Sequence, residues 1–278
     1  MLKIGKFNKL KVLKEMPQGF YLDGDEEWES ILLPHAYAPE NLKINDEINV
    51  FIYFDSKDII VATTQIPYAT VGEFASLEVS SVESVGVFLD WGLDKELMVP
   101  FREKLFEMTP GKKYVVYIYV DSSGRIAAST RIAKYATNNK PIPYTKHQKV
   151  ELLPYHNTDM GVNAIVNGRH LGLIYKDEIY NKLTLGTKVT GFIKKVRDDN
   201  RIDLTLHPEG LGGRVDLSEE ILKKLNASGG TLNMNAKTPA ETINTTFNVS
   251  KKKFKVALGL LYKKKLIDIT DNGIKLTK

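Results

Sequence analysis

Apolar and polar positions alternate in short runs through most of the chain, and a glycine opening such a run recurs three times: Gly19-Phe20-Tyr21-Leu22, Gly86-Val87-Phe88-Leu89 and Gly161-Val162-Asn163-Ala164. These anchors lie 67 and 75 residues apart. A period of two bounded by turn residues predicts strands. After each anchor comes a turn signal, Asp23-Gly24, Asp90-Trp91-Gly92 or Asn167-Gly168, where residues tolerant of positive φ can close a hairpin. A return strand then ends in Leu32-Leu33-Pro34, Met98-Val99-Pro100 or Leu173-Ile174-Tyr175, placed 15, 14 and 14 residues beyond the anchors. Each unit continues with a short helix, a turn at Asn45, Gly111 or Gly186, a β-branched strand (50–54, 114–120, 188–196) and a closing strand (59–64, 125–130, 201–206). Units of about 65 residues with five short strands predict small closed barrels of the OB type, because closure removes exposed sheet edges. Connectors with proline or glycine at 65–67, 138–143 and 207–213 separate the units. The expected domains are barrels over 1–66, 67–140 and 145–207 and a last domain over 214–278.

Beyond the third connector the period lengthens to nearly four. Asp216-Leu217-Ser218-Glu219 has the acidic N-cap and N3 glutamate of a helix start, and Leu217, Ile221, Leu222 and Leu225 form one face. Thr238-Pro239-Ala240-Glu241 combines a cap, proline at N1 and glutamate at N3. Ser250 caps a third helix, in which Phe254, Ala257, Leu258 and Leu261 repeat at i, i+3, i+4, i+7. Leu266 to Thr270 and Ile274 to Thr277 flank Asp271-Asn272-Gly273, and Asn-Gly is the preferred type I′ hairpin pair. Three helices followed by a hairpin make a winged helix. The fold class expected is multidomain and mainly β: three tandem five-stranded OB barrels, then an α+β winged-helix domain.

Composition narrows the chemistry. The 278 residues include no cysteine, which removes disulfides, thiolate metal sites and cysteine nucleophiles. The five histidines show no metal-ligand spacing, and there is no Walker loop, no GxGxxG after a strand and no GxSxG. No metal, cofactor, small-molecule substrate or enzymatic activity is expected. The densest apolar stretch, Tyr114 to Val120, is far shorter than the roughly 20 residues of a spanning helix, so no membrane partner and a cytoplasmic location are expected. The net charge of +5 is unevenly spread: −4 over 1–66, zero over 67–140, +2 over 141–210 and +7 over 211–278. A polyanion would be held mainly at the C-terminal end.

The glycine-aromatic strand, the Leu-Val-Pro return strand and a final Gly124-Arg125-Ile126-Ala127-Ala128-Ser129 resemble S1-type RNA-binding domains. That resemblance implies an RNA face built from an aromatic after the glycine, an aromatic or histidine on the return strand and a basic residue near the last strand. By position these are Tyr21 in the first unit, Phe88 and Arg125 in the second, and Tyr175 and Arg201 in the third. Pro34 and Pro100 stand where the family often has histidine, Asn163 replaces the aromatic in the third unit, and Ile59 takes the place of the basic residue in the first. The run from Ser250 to Lys263, after three barrel repeats, is similar to the conserved virulence factor B family of bacteria, along the whole chain. The similarity implies three S1-type domains followed by a winged helix, binding RNA to affect gene expression post-transcriptionally without enzymatic activity.

An aromatic beside a cation suits single strands, since each base offers a π-face and each phosphate a charge. An aromatic on a barrel strand is also often core, so these residues carry both readings. In the first unit the acidic hairpin from Asp23 to Glu29 would repel phosphates beside Tyr21. On the third helix Lys252, Lys255, Gly259 and Lys263 fall opposite the apolar stripe, with Lys251 and Lys253 near the N-terminus. Lysine supplies charge without base-edge specificity, so the expected partner is single-stranded RNA gripped mostly by the third barrel and the winged helix. The alternatives are a double-stranded DNA regulator using the winged helix and a protein-interaction scaffold.

Overall fold

A Cβ added to Gly19, Gly86 or Gly161 would lie 2.2, 2.6 or 2.0 Å from the carbonyl oxygen of Leu33, Val99 or Ile174 on the facing strand. The recurring glycine therefore permits a close approach within the hairpin. This geometry belongs to a computed structural model that describes residues 1–137, 142–179, 183–206, 212–247 and 249–277. The first repeat comprises β1 (Phe7–Met16), β2 (Gly19–Asp23), β3 (Ser30–Pro34), β4 (Glu47–Phe54) and β5 (Ile60–Thr63). The second comprises β6 (Phe74–Glu83), β7 (Gly86–Asp90), β8 (Leu97–Pro100), β9 (Lys113–Val120) and β10 (Ile126–Ser129), followed by the four-residue helix α1 (Ile132–Tyr135). The third comprises β11 (Lys149–Asn157), β12 (Gly161–Val166), β13 (His170–Tyr175), β14 (Val189–Val196) and β15 (Ile202–Thr205). In all three the anchor glycine pairs with the end of the return strand: Gly19 with Pro34, Gly86 with Pro100, Gly161 with Tyr175.

The first strand of each repeat serves two neighbours. β1 pairs with β4 through Phe7 to Lys11 and with β2 through Val12 to Met16, and its register shifts between Val12 and Lys14. The same shift falls between Val79 and Ser81 in β6 and between Pro154 and His156 in β11. A bulge bends the strand so that it can cross from one side of the barrel to the other. Near each bulge one carbonyl is taken by the turn before the fourth strand: Asn45 N donates to Val12 O, Gly111 N to Val79 O and Gly186 N to Pro154 O, at 2.8, 2.8 and 2.7 Å. Those turn residues have φ of 75°, 76° and 78°, as their residue types suggest.

Parallel pairing of β3 with β5 and of β13 with β15 closes the first and third barrels. In the second, β8 and β10 lie side by side without a ladder. Thr130 N instead donates to Glu103 O at 3.1 Å, and Ser129 Oγ to the Glu103 carboxylate at 2.7 Å. The short helix expected after each return strand is a single 3₁₀ turn, at His35–Tyr37, Phe101–Glu103 and Lys176–Glu178.

The chain divides into two compact units, Met1–Ala136 and Thr137–Lys278. Within the first, the two barrels share a core. Phe51, Tyr53 and Val61 pack with Trp91, Leu93 and Leu97 of the second barrel, and Phe51 meets Trp91 edge to face at 5.7 Å. Trp91 thus serves as a buried anchor within its turn, 2% exposed, its Nε1 donating to Lys95 O. The second unit contains the third barrel and the C-terminal domain: α2 (Gly212–Ala227), β16 (Thr231–Leu232), α3 (Ala240–Phe247), α4 (Lys251–Lys263), β17 (Ile267–Thr270) and β18 (Gly273–Leu276), with strand order β16-β18-β17. Leu217, Ile221, Leu225, Ile243, Phe254, Leu258 and Leu261 close its core, the arrangement expected of a winged helix.

Three local expectations change. α2 already begins at Gly212, so Asp216 is the fifth residue of the helix and not the position before its first. The Thr238 hydroxyl accepts from Asn235 N at 2.9 Å. The wing turns at Asp271-Asn272, since Thr270 pairs with Gly273, and neither residue has positive φ. Gly273 is instead a close-approach glycine, whose Cβ would lie 2.1 Å from Leu232 O. Of the expected connectors at 138–143 and 207–213, residues 138–141 and 207–211 lie outside the described residues, as does Asn248 ahead of Ser250, while Gly212 and Gly213 already belong to α2. No helix among the described residues is long and apolar enough to cross a membrane.

Candidate nucleic-acid interface

Strand alternation puts Tyr21, Phe88 and Asn163 at equivalent half-exposed positions, two residues after the anchor glycine and opposite Leu32, Met98 and Leu173. Tyr21 has a cation above its ring, Lys14 Nζ at 5.0 Å from the centroid, and its hydroxyl accepts from Gln18 Nε2 at 2.7 Å. Phe88 sits on β7 with Met98 across the ladder, and Phe101 in the following 3₁₀ turn is exposed with Lys104 Nζ at 5.4 Å from its ring. Arg125 does not face an aromatic. Its guanidinium donates to Asp58 of the first barrel at 2.7 Å, an exposed ion pair at the rim between the two barrels.

In the third barrel Tyr175 is half-exposed at the end of β13. The cation that meets it is Arg197, whose guanidinium carbon lies 6.0 Å from the ring centroid and whose Nη2 donates to the Tyr175 hydroxyl. Asp203 fixes Arg197 through a 2.9 Å bond from Nε and accepts from the Tyr175 hydroxyl at 3.4 Å. Arg201 lies in the turn between β14 and β15 and pairs with Asp199 at 3.4 Å, well exposed. Sequence position pointed to Arg201 because it matches Arg125. Arg197 is four residues earlier, where the twisted ends of β14 and β15 bring Arg197 and Asp203 within reach of β13.

Helix α4 is capped by Ser250, whose Oγ accepts from Lys253 N at 3.3 Å. Phe254, Ala257, Leu258 and Leu261 are buried, which turns Lys252, Lys255, Gly259 and Lys263 outward, all exposed. Lys251 is half-buried, with Nζ donating to Lys237 O at 3.3 Å. Lys253 is half-buried too, and its charge is among those that hold down the Glu178 carboxyl of the third barrel. Burial alone would push Glu178 up, but hydrogen bonds from Lys194 (2.7 Å) and Thr205 (2.8 Å) outweigh it and keep the carboxyl below its ordinary value.

These features have counterparts in known proteins. Residues 219–276 match the CvfB-like winged helix domain, and residues 4–65 and 71–131 each match the S1 domain. The chain is 29% identical over 261 residues to the uncharacterized protein YitL of Bacillus subtilis, covering 88% of this chain and 84% of that one. It is 26% identical over 287 residues to conserved virulence factor B of Staphylococcus epidermidis, covering 99% and 95%. Among solved structures it is similar to a multidomain protein with nucleic acid binding domains from Streptococcus pneumoniae, 24% identical, with a TM-score of 0.45 over 98% of both chains. S1 domains at the front, a CvfB-like winged helix at the back and relatives of that name aligned along nearly the full length give this chain the domain order of the conserved virulence factor B family and a similarity to it from end to end.

Proposed function

We propose that this chain is a cytoplasmic, non-enzymatic RNA-binding protein that holds single-stranded RNA mainly with the third barrel and the winged helix, and so acts on gene expression after transcription. S1 and winged-helix domains are binding modules, and their presence supports nucleic acid as the partner. The observation that carries the choice of site is the first half of α4. Lys251, Lys252, Lys253 and Lys255 crowd it, the first turn itself holds no acidic residue, and of the four Lys253 is the one whose charge acts on Glu178. Cations at a helix N-terminus oppose the macrodipole, and a phosphate placed there would satisfy the lysines and the dipole together. Tyr175 with Arg197 adds a ring face beside a cation in the same compact unit, the combination that single strands accept whatever their sequence.

The test is fluorescence anisotropy of a labelled unstructured RNA, a matched single-stranded DNA and a DNA duplex against the full chain, over several salt concentrations. RNA should bind best. With about four phosphates neutralised, log K should fall with log salt at a slope near −3, from roughly −0.7 per phosphate on a single strand. Reversing Lys251, Lys252 and Lys255 to glutamate should cost at least about tenfold in affinity and flatten that slope by about 2. An unchanged affinity in the folded triple variant would remove the winged helix from the site. Preference for the duplex would make the protein a DNA regulator, and no binding at low salt would make it a scaffold.

A further inference from the structure

Helix α4 carries a glycine that its own packing does not require. At 3.6 residues per turn Gly259 falls in the middle of the outward face, opposite the buried Phe254, Ala257, Leu258 and Leu261. It is exposed, and a Cβ there would meet nothing within 4 Å. An interior glycine weakens a helix relative to alanine because it loses more backbone freedom on folding. The residues around it are not neutral. Lys252 and Lys263 lie on nearly the same line before and after it, Lys255 and Tyr262 on one flank and Val256 on the other. Tyr262 is 57% exposed and Val256 42%. The face is a shallow saddle with bare backbone at its centre, lysines at both ends and apolar side chains at its flanks.

We propose that Gly259 seats the sugar–phosphate backbone of a single RNA strand against α4, and that Tyr262 is the platform on which one of its bases stacks. This rests on the RNA-binding reading above and adds the residues that set the close approach and the preference for an unpaired strand. The lysines select a polyanion. Absence of a side chain at the centre lets the strand come into contact with the helix itself, where a Cβ would hold it off. Tyr262 offers a ring at the edge of the lysine field, which an unpaired base can cover and a base stacked inside a duplex cannot. Val256 supplies an apolar contact for a sugar on the other side.

The experiment uses the full chain with a labelled unstructured adenylate RNA, and inorganic polyphosphate as a ligand with charge but no bases. Gly259→Ala should raise the thermal midpoint of unfolding and yet weaken RNA binding several-fold, with Gly259→Leu weaker still. The salt slope should stay as in the wild type, because no charge has changed. Tyr262→Leu should lower RNA affinity roughly fivefold or more, Tyr262→Phe should restore it, and neither should alter polyphosphate binding. Wild-type binding to RNA with both Gly259 variants equal to it overturns this proposal alone, as does a Tyr262→Leu variant that loses polyphosphate and RNA equally. A wild-type chain that does not bind RNA overturns the RNA-binding reading and this one with it.

Discussion

Glu103 and Glu178 occupy the same place in successive repeats, the last residue of the 3₁₀ turn after the return strand, and both are buried. Each accepts a hydroxyl from the closing strand, Ser129 or Thr205, and an ammonium, Lys134 at 2.9 Å or Lys194 at 2.7 Å. The two lysines come from different elements, α1 and β14, so the carboxylate is the constant part and its cation is recruited from whatever lies near. In the first repeat the place falls to Tyr37, whose backbone carbonyl accepts from the Thr64 hydroxyl. For Glu103, desolvation is the largest influence and acts upward, but the bonds from Ser129 and Lys134 together hold the carboxyl below its ordinary value. A lowered folded-state value means that ionisation stabilises the fold, fully above the unfolded value of about 4.3 and less as pH falls through the folded value. Glu103→Gln should therefore lower the urea midpoint at pH 7, and the gap from wild type should close as the pH is taken from about 5 to about 3. A gap that stays constant over that range would mean that the carboxylate charge contributes nothing and only its shape matters. In the sequence these glutamates look like ordinary surface acids, because the hydroxyl and ammonium that hold them are 16 to 31 residues away.

At the scale of elements, the anchor glycines, return strands and left-handed turns were legible because each is a local steric demand. Gly86 shows the demand in its plainest form, since its backbone is not left-handed and the only obstacle to a side chain is the facing strand, with Val99 O at 2.6 Å and Met98 Cγ at 3.1 Å from an added Cβ. Gly86→Ala should destabilise by about 1–3 kcal/mol through overpacking, lowering the thermal midpoint by several degrees. An unchanged midpoint would show that the hairpin can open without loss. It is the opposite of the outcome expected at Gly259, where alanine meets nothing, so the pair of variants separates glycine kept for the fold from glycine kept for a partner. The bulges were not legible. One extra residue on a strand leaves composition and alternation nearly unchanged, and only the shared pairing of β1, β6 and β11 with two neighbours reveals it. The wing signal was misread because Asn272-Gly273 carries the right residue types for a local turn while Leu232 O, brought in by the tertiary fold, decides what Gly273 does; Thr238 answers instead to a nearer partner, Asn235 N three residues before it. Arg197 was missed for the related reason that its partner Tyr175 lies on another strand.

For the molecule as a whole, the least legible fact was that the first two barrels are one body. The connector at 65–67 resembles the other two in sequence, yet the first two barrels fall in a single compact unit. A trace of this was present: Val50, Phe51, Ile52, Tyr53 and Phe54 form an unbroken apolar run, the pattern of a strand covered on both faces. One face, Val50 and Ile52, fills the first barrel, while Phe51 and Tyr53 belong to the core of the second. Burial there pushes the Tyr53 hydroxyl up to about 12. Polar ties follow at the rim of the contact, Arg125 and Lys95 on Asp58 at 2.7 and 3.7 Å and Tyr37 on Asp94, but exposed pairs of this kind contribute little beside a buried indole. The acidic first barrel is thereby held against the second, and the charge gradient runs from an acidic unit to a cationic one. Trp91→Ala should cost about 3–5 kcal/mol and convert a single unfolding transition of the first two barrels into two, with new proteolytic cleavage near 65–67. Trp91→Phe should keep most of the coupling, because Phe51 can still meet a ring edge to face. RNA affinity and its salt slope should be untouched in both variants, since the lysines of α4 belong to the other unit. A Trp91→Ala protein that unfolds as one body would move the coupling to the polar rim, and one that loses RNA affinity while staying folded would place the first two barrels in the binding surface itself.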